Sequence, residues 1–193
     1  MSIKSTIGLG LIAAALSAPA AAAVIDFSAY ADGTAITTIG SATFSLAGAG
    51  ESGSPSVASI SGVSYLWNST DGFLYPSNEI LRVTFSSPVS SLKFDFSPFG
   101  FNGDPDQGWS LYDSANALIA SGAFTSGGLA SYDLSAFAGV ARVDFNNGRN
   151  DWVQGLARIS FDATAVPAPT TPALMLAAFL ALAAVRRSRS RGR

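Results

Sequence analysis

The stretch Leu92-Lys93-Phe94-Asp95-Phe96 alternates apolar and charged residues one for one, and that period of two constrains the fold more than any other feature. Side chains two apart share one face of a strand, so Leu92, Phe94 and Phe96 face one side while Lys93 and Asp95 face the other. Val143 and Phe145 oppose Arg142 and Asp144 in the same way, and Ile159 and Phe161 oppose Arg158, Ser160 and Asp162. Strands with one wet face belong to antiparallel sheets packed in pairs, because parallel strands covered on both sides read as unbroken apolar runs. Helical periodicity is absent. Strands are expected at 24–28, 42–47, 57–61, 64–67, 80–86, 91–97, 109–113, 118–123, 131–134, 141–146 and 157–162, with Gly, Ser, Asn and Asp between them. Residues 109–121 read as a hairpin whose Asp113, Ser114 and Asn116 make the turn. The expectation is an all-β, antiparallel β-sandwich.

Two apolar segments at the ends stand outside this pattern. Lys4 precedes an apolar stretch over 7–16, followed by Ser17-Ala18-Pro19 and alanines 20–23. Small residues at Ala21 and Ala23 satisfy the A-x-A cleavage rule, so residues 1–23 read as a signal peptide with a mature start at Val24. The other end runs Val166-Pro167-Ala168-Pro169-Thr170-Thr171-Pro172, then an apolar run over 173–185, then Arg186, Arg187, Arg189, Arg191 and Arg193. Prolines at this density stop a sheet or helix and make a stiff linker. The apolar run would span about 20 Å as a helix against roughly 30 Å of hydrocarbon, a short transmembrane helix that snorkelling arginines and local thinning extend. Arginines after the span hold the tail on the cytoplasmic side and leave the domain outside. This proline motif, compact apolar helix and Arg cluster over 166–193 resembles the PEP-CTERM sorting signal, with Ala168 standing where Glu is usual. The resemblance implies export by a Gram-negative bacterium that makes a polysaccharide matrix. It also implies processing of the tail at the inner membrane by an exosortase-type transpeptidase.

Residues 24–165 are then the folded domain, long enough for one core and too short for two. Within it five Lys and Arg stand against thirteen Asp and Glu, a formal charge of −8. Scattered single cations on an acidic domain give no phosphate-tracking surface, so nucleic acid is not an expected partner. The chain has neither Cys nor His, which removes disulfides, thiolate metal sites, the Cys nucleophile and the commonest general base. No G-x-S-x-G elbow, P-loop or H-E-x-x-H motif is present, so a non-enzymatic protein is expected. The alternatives are a polysaccharide hydrolase using Asp104 with Asp106 or Asp151, and a purely structural adhesive module.

Ile25-Asp26-Phe27 with Asp32-Gly33-Thr34, the central hairpin and the closing Ile159-Ser160-Phe161-Asp162 resemble the jelly-roll domains of exported PEP-CTERM proteins, which are akin to carbohydrate-binding modules. Two kinds of site follow. Calcium suits an acidic, oxygen-only donor set, and in such domains a structural cation pins the first strand to the last, which implies Asp26 with Asp162. The loop Asn102-Gly103-Asp104-Pro105-Asp106 is the nearest approach to a calcium loop and lacks the closing glutamate of an EF-hand, so Asp104 and Asp106 are the other metal candidates. For sugars, aromatic rings in polar loops are sought. Trp67 before Asn68-Ser69-Thr70, Trp152 after Asn150-Asp151, and Trp109 are the candidates, set against a core role. The expected partner is extracellular polysaccharide.

Overall fold

The computed structural model describes residues 22–49, 53–69, 78–99, 106–147 and 154–163. Residues 20–164 form one compact unit. The signal peptide up to residue 21, the proline motif Val166 to Pro169, the apolar run and the Arg cluster lie outside the described residues. So do Trp152 and Asp104.

The described chain is all-β and antiparallel. In order it forms β1 (Ala22–Asp26), β2 (Thr38–Ile39), β3 (Ala42–Ala49), β4 (Val57–Ile60), β5 (Val63–Trp67), β6 (Asn78–Pro98), β7 (Gln107–Tyr112), β8 (Leu118–Ala123), β9 (Ala130–Leu134), β10 (Val140–Asn147) and β11 (Gln154–Ala163). Among the described residues there is no α-helix, and none is long and apolar enough to cross a membrane. β1 begins two residues before the boundary read from the sequence, with Ala22 opposite Asp162 and Ala23 opposite Phe161. It also ends sooner. The Asp26 carboxylate accepts the Ser28 N–H at 2.9 Å and caps a 3-10 turn at Phe27–Ala29, which turns Phe27 into the core.

β6 organises the rest. Its first half lies between β3 and β10, and its second half lies between β9 and β11. The sequence suggested two strands separated near Pro88. Instead one 21-residue strand runs through, and the irregularity is taken up by bulges and by Ser91 at φ 53°. By hydrogen bonding the eleven strands form one sheet, and β6, which changes neighbours midway, joins its two parts, here termed the first and second layer: β2-β3-β6-β10-β7-β8, and β9-β6-β11, with β1 and β5-β4 on the far side of β11. Their apolar faces meet. Phe94 and Phe96 from the second half of β6 pack on Phe145 of β10 with ring centroids 4.9 and 4.7 Å apart, and Phe85 packs on Phe161 at 4.7 Å. Each buried ring contributes roughly 1.5–3 kcal/mol, which is why the alternation seen in the sequence suffices to build a core.

The central hairpin forms as read. Asp113 Oδ1 accepts the N–H groups of Ala115 and Ala117, both at 2.8 Å, and Asn116 takes the left-handed conformation at φ 62°.

Candidate functional site

The outward face of the first layer is built by cross-strand register. Val143 and Phe145 of β10 point inward and are fully buried, so Arg142, Asp144 and Asn146 point outward. Pairing then lines up Ser45, Arg82, Asp144, Ser110 and Ser121 across β3, β6, β10, β7 and β8. Thr43, Thr84, Arg142, Tyr112 and Leu118 make the adjacent row. Arg82 therefore faces Asp144 directly and binds it with both prongs, Nε to Oδ1 at 2.8 Å and Nη2 to Oδ2 at 2.9 Å. Arg142, two residues before Asp144 on the same face of β10, reaches Oδ1 from its Nε at 3.3 Å. Its guanidinium lies 3.8 Å from the centroid of the Tyr112 ring, and its Nη1 donates to Asn116 Oδ1 at 2.7 Å.

Burial makes this cluster rigid. The Asp144 side chain is 6% exposed, that of Arg142 18% and that of Arg82 31%. Hydrogen bonding to Asp144 pushes the Arg82 guanidinium further up from its already high pKa. A groove of about 280 Å³ adjoins the cluster, lined by Ser110, Ser121, Asn146 and Asp106 with Gly108 at its floor. A Cβ on Gly108 would stand 2.2 Å from the Gly122 carbonyl oxygen, so the floor has no room for a side chain. Hydroxyls, an amide, an aromatic ring and two fixed guanidinium groups on a flat sheet form a hydrogen-bonding surface suited to a polyhydroxylated ligand.

The second layer's outward face is different. A groove of about 390 Å³ runs over Lys93, Asp95, Ser131, Asp133, Arg158 and Val24. Here each cation has its own carboxylate: Lys93 with Asp133 at 2.7 Å and Arg158 with Asp95 at 2.8 Å. Ser131 also donates to Asp95, at 2.5 Å. The Lys93 ammonium and the Ser135 hydrogen bonds hold the Asp133 carboxyl well below its usual range. This face is larger but self-neutralised.

The aromatic candidates fare unequally. Trp67 has no exposed surface, donates from Nε1 to Ala58 O at 3.0 Å and stacks on Phe99 at 5.1 Å, so it is a core residue with no face for a sugar. Its neighbours Asn68 and Ser69 are buried as well, and Asn68 Oδ1 accepts the Gln154 N–H at 2.7 Å. Trp109 does touch the groove beside Ser110, but it is only 9% exposed because its indole lies on the strand at Gly122. It is wall rather than platform.

Asp26 and Asp162 do not lie opposite one another. Both lie where expected, on β1 and on its partner β11, but Asp26 pairs with Arg158 and Asp162 with Ala22, four residues apart in register. At about 3.4 Å per residue that is roughly 14 Å, too far to share an ion with ligands at 2.3–2.6 Å. The Ser28 hydrogen bonds and the nearby Arg158 instead hold the Asp26 carboxyl below its usual value. Asp106 is exposed at the start of the groove, and among the described residues no three acidic side chains gather to hold a metal.

Arg82, Arg142, Asp144 and Tyr112 were not among the candidates read from the sequence. The alternation around Asp144 placed two of them on a wet face, but their meeting with Arg82 depends on pairing between distant strands. Compared with protein-family models, curated proteins and solved structures, the chain matches none.

Proposed function

We propose that the protein is an exported, non-enzymatic β-sandwich of jelly-roll type, directed to the cell surface or matrix, which associates with extracellular polysaccharide through the outward face of its first layer. The observation that carries this reading is the row of outward polar side chains clamped on Asp144, with a hydroxyl-lined groove beside it. Sugars are held by fixed donors and acceptors with an aromatic edge, and a face that keeps its side chains rigid loses little entropy on binding. The signal-peptide pattern and the PEP-CTERM-like tail support delivery to the surface, with an exosortase-type transpeptidase and the inner membrane as the partners of the tail.

Glycan-array binding tests the reading, with Ser110→Trp to fill the groove and Trp67→Phe as the core control. Retention that is lost in the first variant and kept in the second supports it. A wild-type protein that retains no glycan overturns it and leaves the structural adhesive module. Release of reducing sugar from the host's own matrix would instead establish the hydrolase. The sorting part is tested separately by the intact mass of protein recovered from the native host, where loss of the chain beyond Pro169 is the expected result.

A further inference from the structure

We infer that this face takes an acidic sugar unit, the carboxylate of a hexuronate, on the Arg142 guanidinium beside the Arg82–Asp144 pair. The inference rests on the polysaccharide reading above and adds the chemical class of the ligand.

Charge is distributed unevenly over the two layers. The described residues include four cations: Lys93, Arg158, Arg82 and Arg142. Lys93 has Asp133 and Arg158 has Asp95, each pair in contact. Arg82 and Arg142 share the single carboxylate of Asp144. One guanidinium charge is therefore left over at one place on an otherwise acidic surface. Among the described acids nearby, none offsets it by contact: Asp113 is committed to the backbone N–H groups of its own turn, and Asp106 precedes β7 at the end opposite Tyr112.

The hydrogen bonding points the same way. Arg82 uses Nε and Nη2 on Asp144, and Arg142 uses Nη1 on Asn116. Arg142 Nε is buried against Asp144 at 3.3 Å, an ion contact out of a ligand's reach, so the donor left for a ligand on this side chain is Nη2. A guanidinium has five donors in a planar fork, and a planar carboxylate accepts two of them side by side. Arg142 is already fixed, stacked on Tyr112 and tied to the Asn116 turn, so a carboxylate meets an oriented partner. Acids elsewhere on the domain repel a polyanion only weakly at physiological salt, where charges beyond about 8 Å are screened.

The test compares galacturonate hexamer with its fully methyl-esterified form on the purified full-length chain, by calorimetry at 50 and 300 mM salt. The ester keeps the ring and its hydroxyls, removes the charge and caps one carboxylate oxygen with a methyl group. Expected is a preference of about tenfold or more for the free acid, weakened at high salt, since one charge-assisted hydrogen bond carries at least that factor. Arg142→Lys keeps the charge but loses the fork and the stack, and is expected to reduce the preference several-fold while near-UV circular dichroism stays native. Inorganic sulfate at equal ionic strength is expected not to compete, because it lacks the sugar contacts. Equal binding of acid and ester overturns the inference while leaving the polysaccharide reading intact. Effective competition by sulfate overturns the hexuronate assignment in favour of a plain anion site. Absence of binding to these hexamers and to every glycan on the array overturns both readings.

Discussion

The clamp on Asp144 can be weighed by a double-mutant cycle with Arg82. Breaking a buried ion pair costs about 3–5 kcal/mol, whereas exposed pairs contribute roughly 0.2–1 kcal/mol. Asp144 sits near the buried limit at 6% exposure and Arg82 is intermediate at 31%, and their contact is bidentate at 2.8 and 2.9 Å. A coupling free energy of about 2 kcal/mol follows, between those limits. Asp144→Asn keeps the shape but sets an amide donor against guanidinium donors, so it alone is expected to cost about 2–3 kcal/mol. Arg82→Met keeps the apolar stem and leaves Asp144 with Arg142 at 3.3 Å. The comparison pair is Arg158 and Asp95 on the other layer, with side chains 54% and 18% exposed, where coupling of about 1 kcal/mol or less is expected. Urea unfolding followed by tryptophan fluorescence gives all the corners of both cycles. If the Arg82/Asp144 coupling is no larger than the Arg158/Asp95 coupling, burial on the sheet face does not strengthen the clamp, and the rigidity on which the site depends is absent.

Gly122→Ala would place a Cβ 2.5 Å from Trp109 Cζ2 and 2.7 Å from Cε2, so a loss of about 2 kcal/mol with a change in tryptophan near-UV circular dichroism is expected, and no change in either signal would show that the indole does not lie on β8. Gln107 is fully buried with neither amide atom hydrogen bonded, so Gln107→Met is expected to raise the urea midpoint by the equivalent of about 1 kcal/mol, and a fall instead would mean that a bound water or ion satisfies the amide. Asp26 and Asp133 are both held below the ordinary carboxylate value of 3.8, so their contribution is complete above that pH and is lost as pH falls through the lower folded values. The urea midpoint should therefore drop on acidification below about pH 4, and less steeply in Asp133→Asn; parallel curves for variant and parent would refute that linkage.

Much of the strand pattern was legible because period-two alternation reports burial of a face, a local property. Leu92, Phe94 and Phe96, or Val143 and Phe145, needed no partner to be recognised as inward. What was not legible depends on which strand lies beside which. Arg82 and Asp144 are 62 residues apart, and nothing local to either announces the other. Asp26 and Asp162 illustrate the converse, since the right pair of strands was expected but four residues of register separate the two side chains. Trp67 misled because Asn68 and Ser69 follow it and read as a solvated loop; in the fold both are buried, and Asn68 serves as an acceptor that ties β5 to β11.

Register also explains why the two outward faces differ although the same alternation produced them. Val140 pairs with Val89, but Arg142 pairs with Thr84, so two steps along β10 correspond to five along β6. Without that surplus of three residues, Asp144 would stand opposite Phe85 and Arg82 opposite Asn147, and an odd shift would also exchange the inward and outward sets. The irregular stretch around Pro88, where β6 passes from one layer to the other, thus does more than turn the sheet. It sets the offset that brings Arg82 onto Asp144, while Arg142 meets Tyr112 through the separate, unbroken register of β10 with β7. The corner of the fold and the Arg82–Asp144 pair have one cause, and a deletion within residues 86–88 should abolish that pair even where both residues are retained.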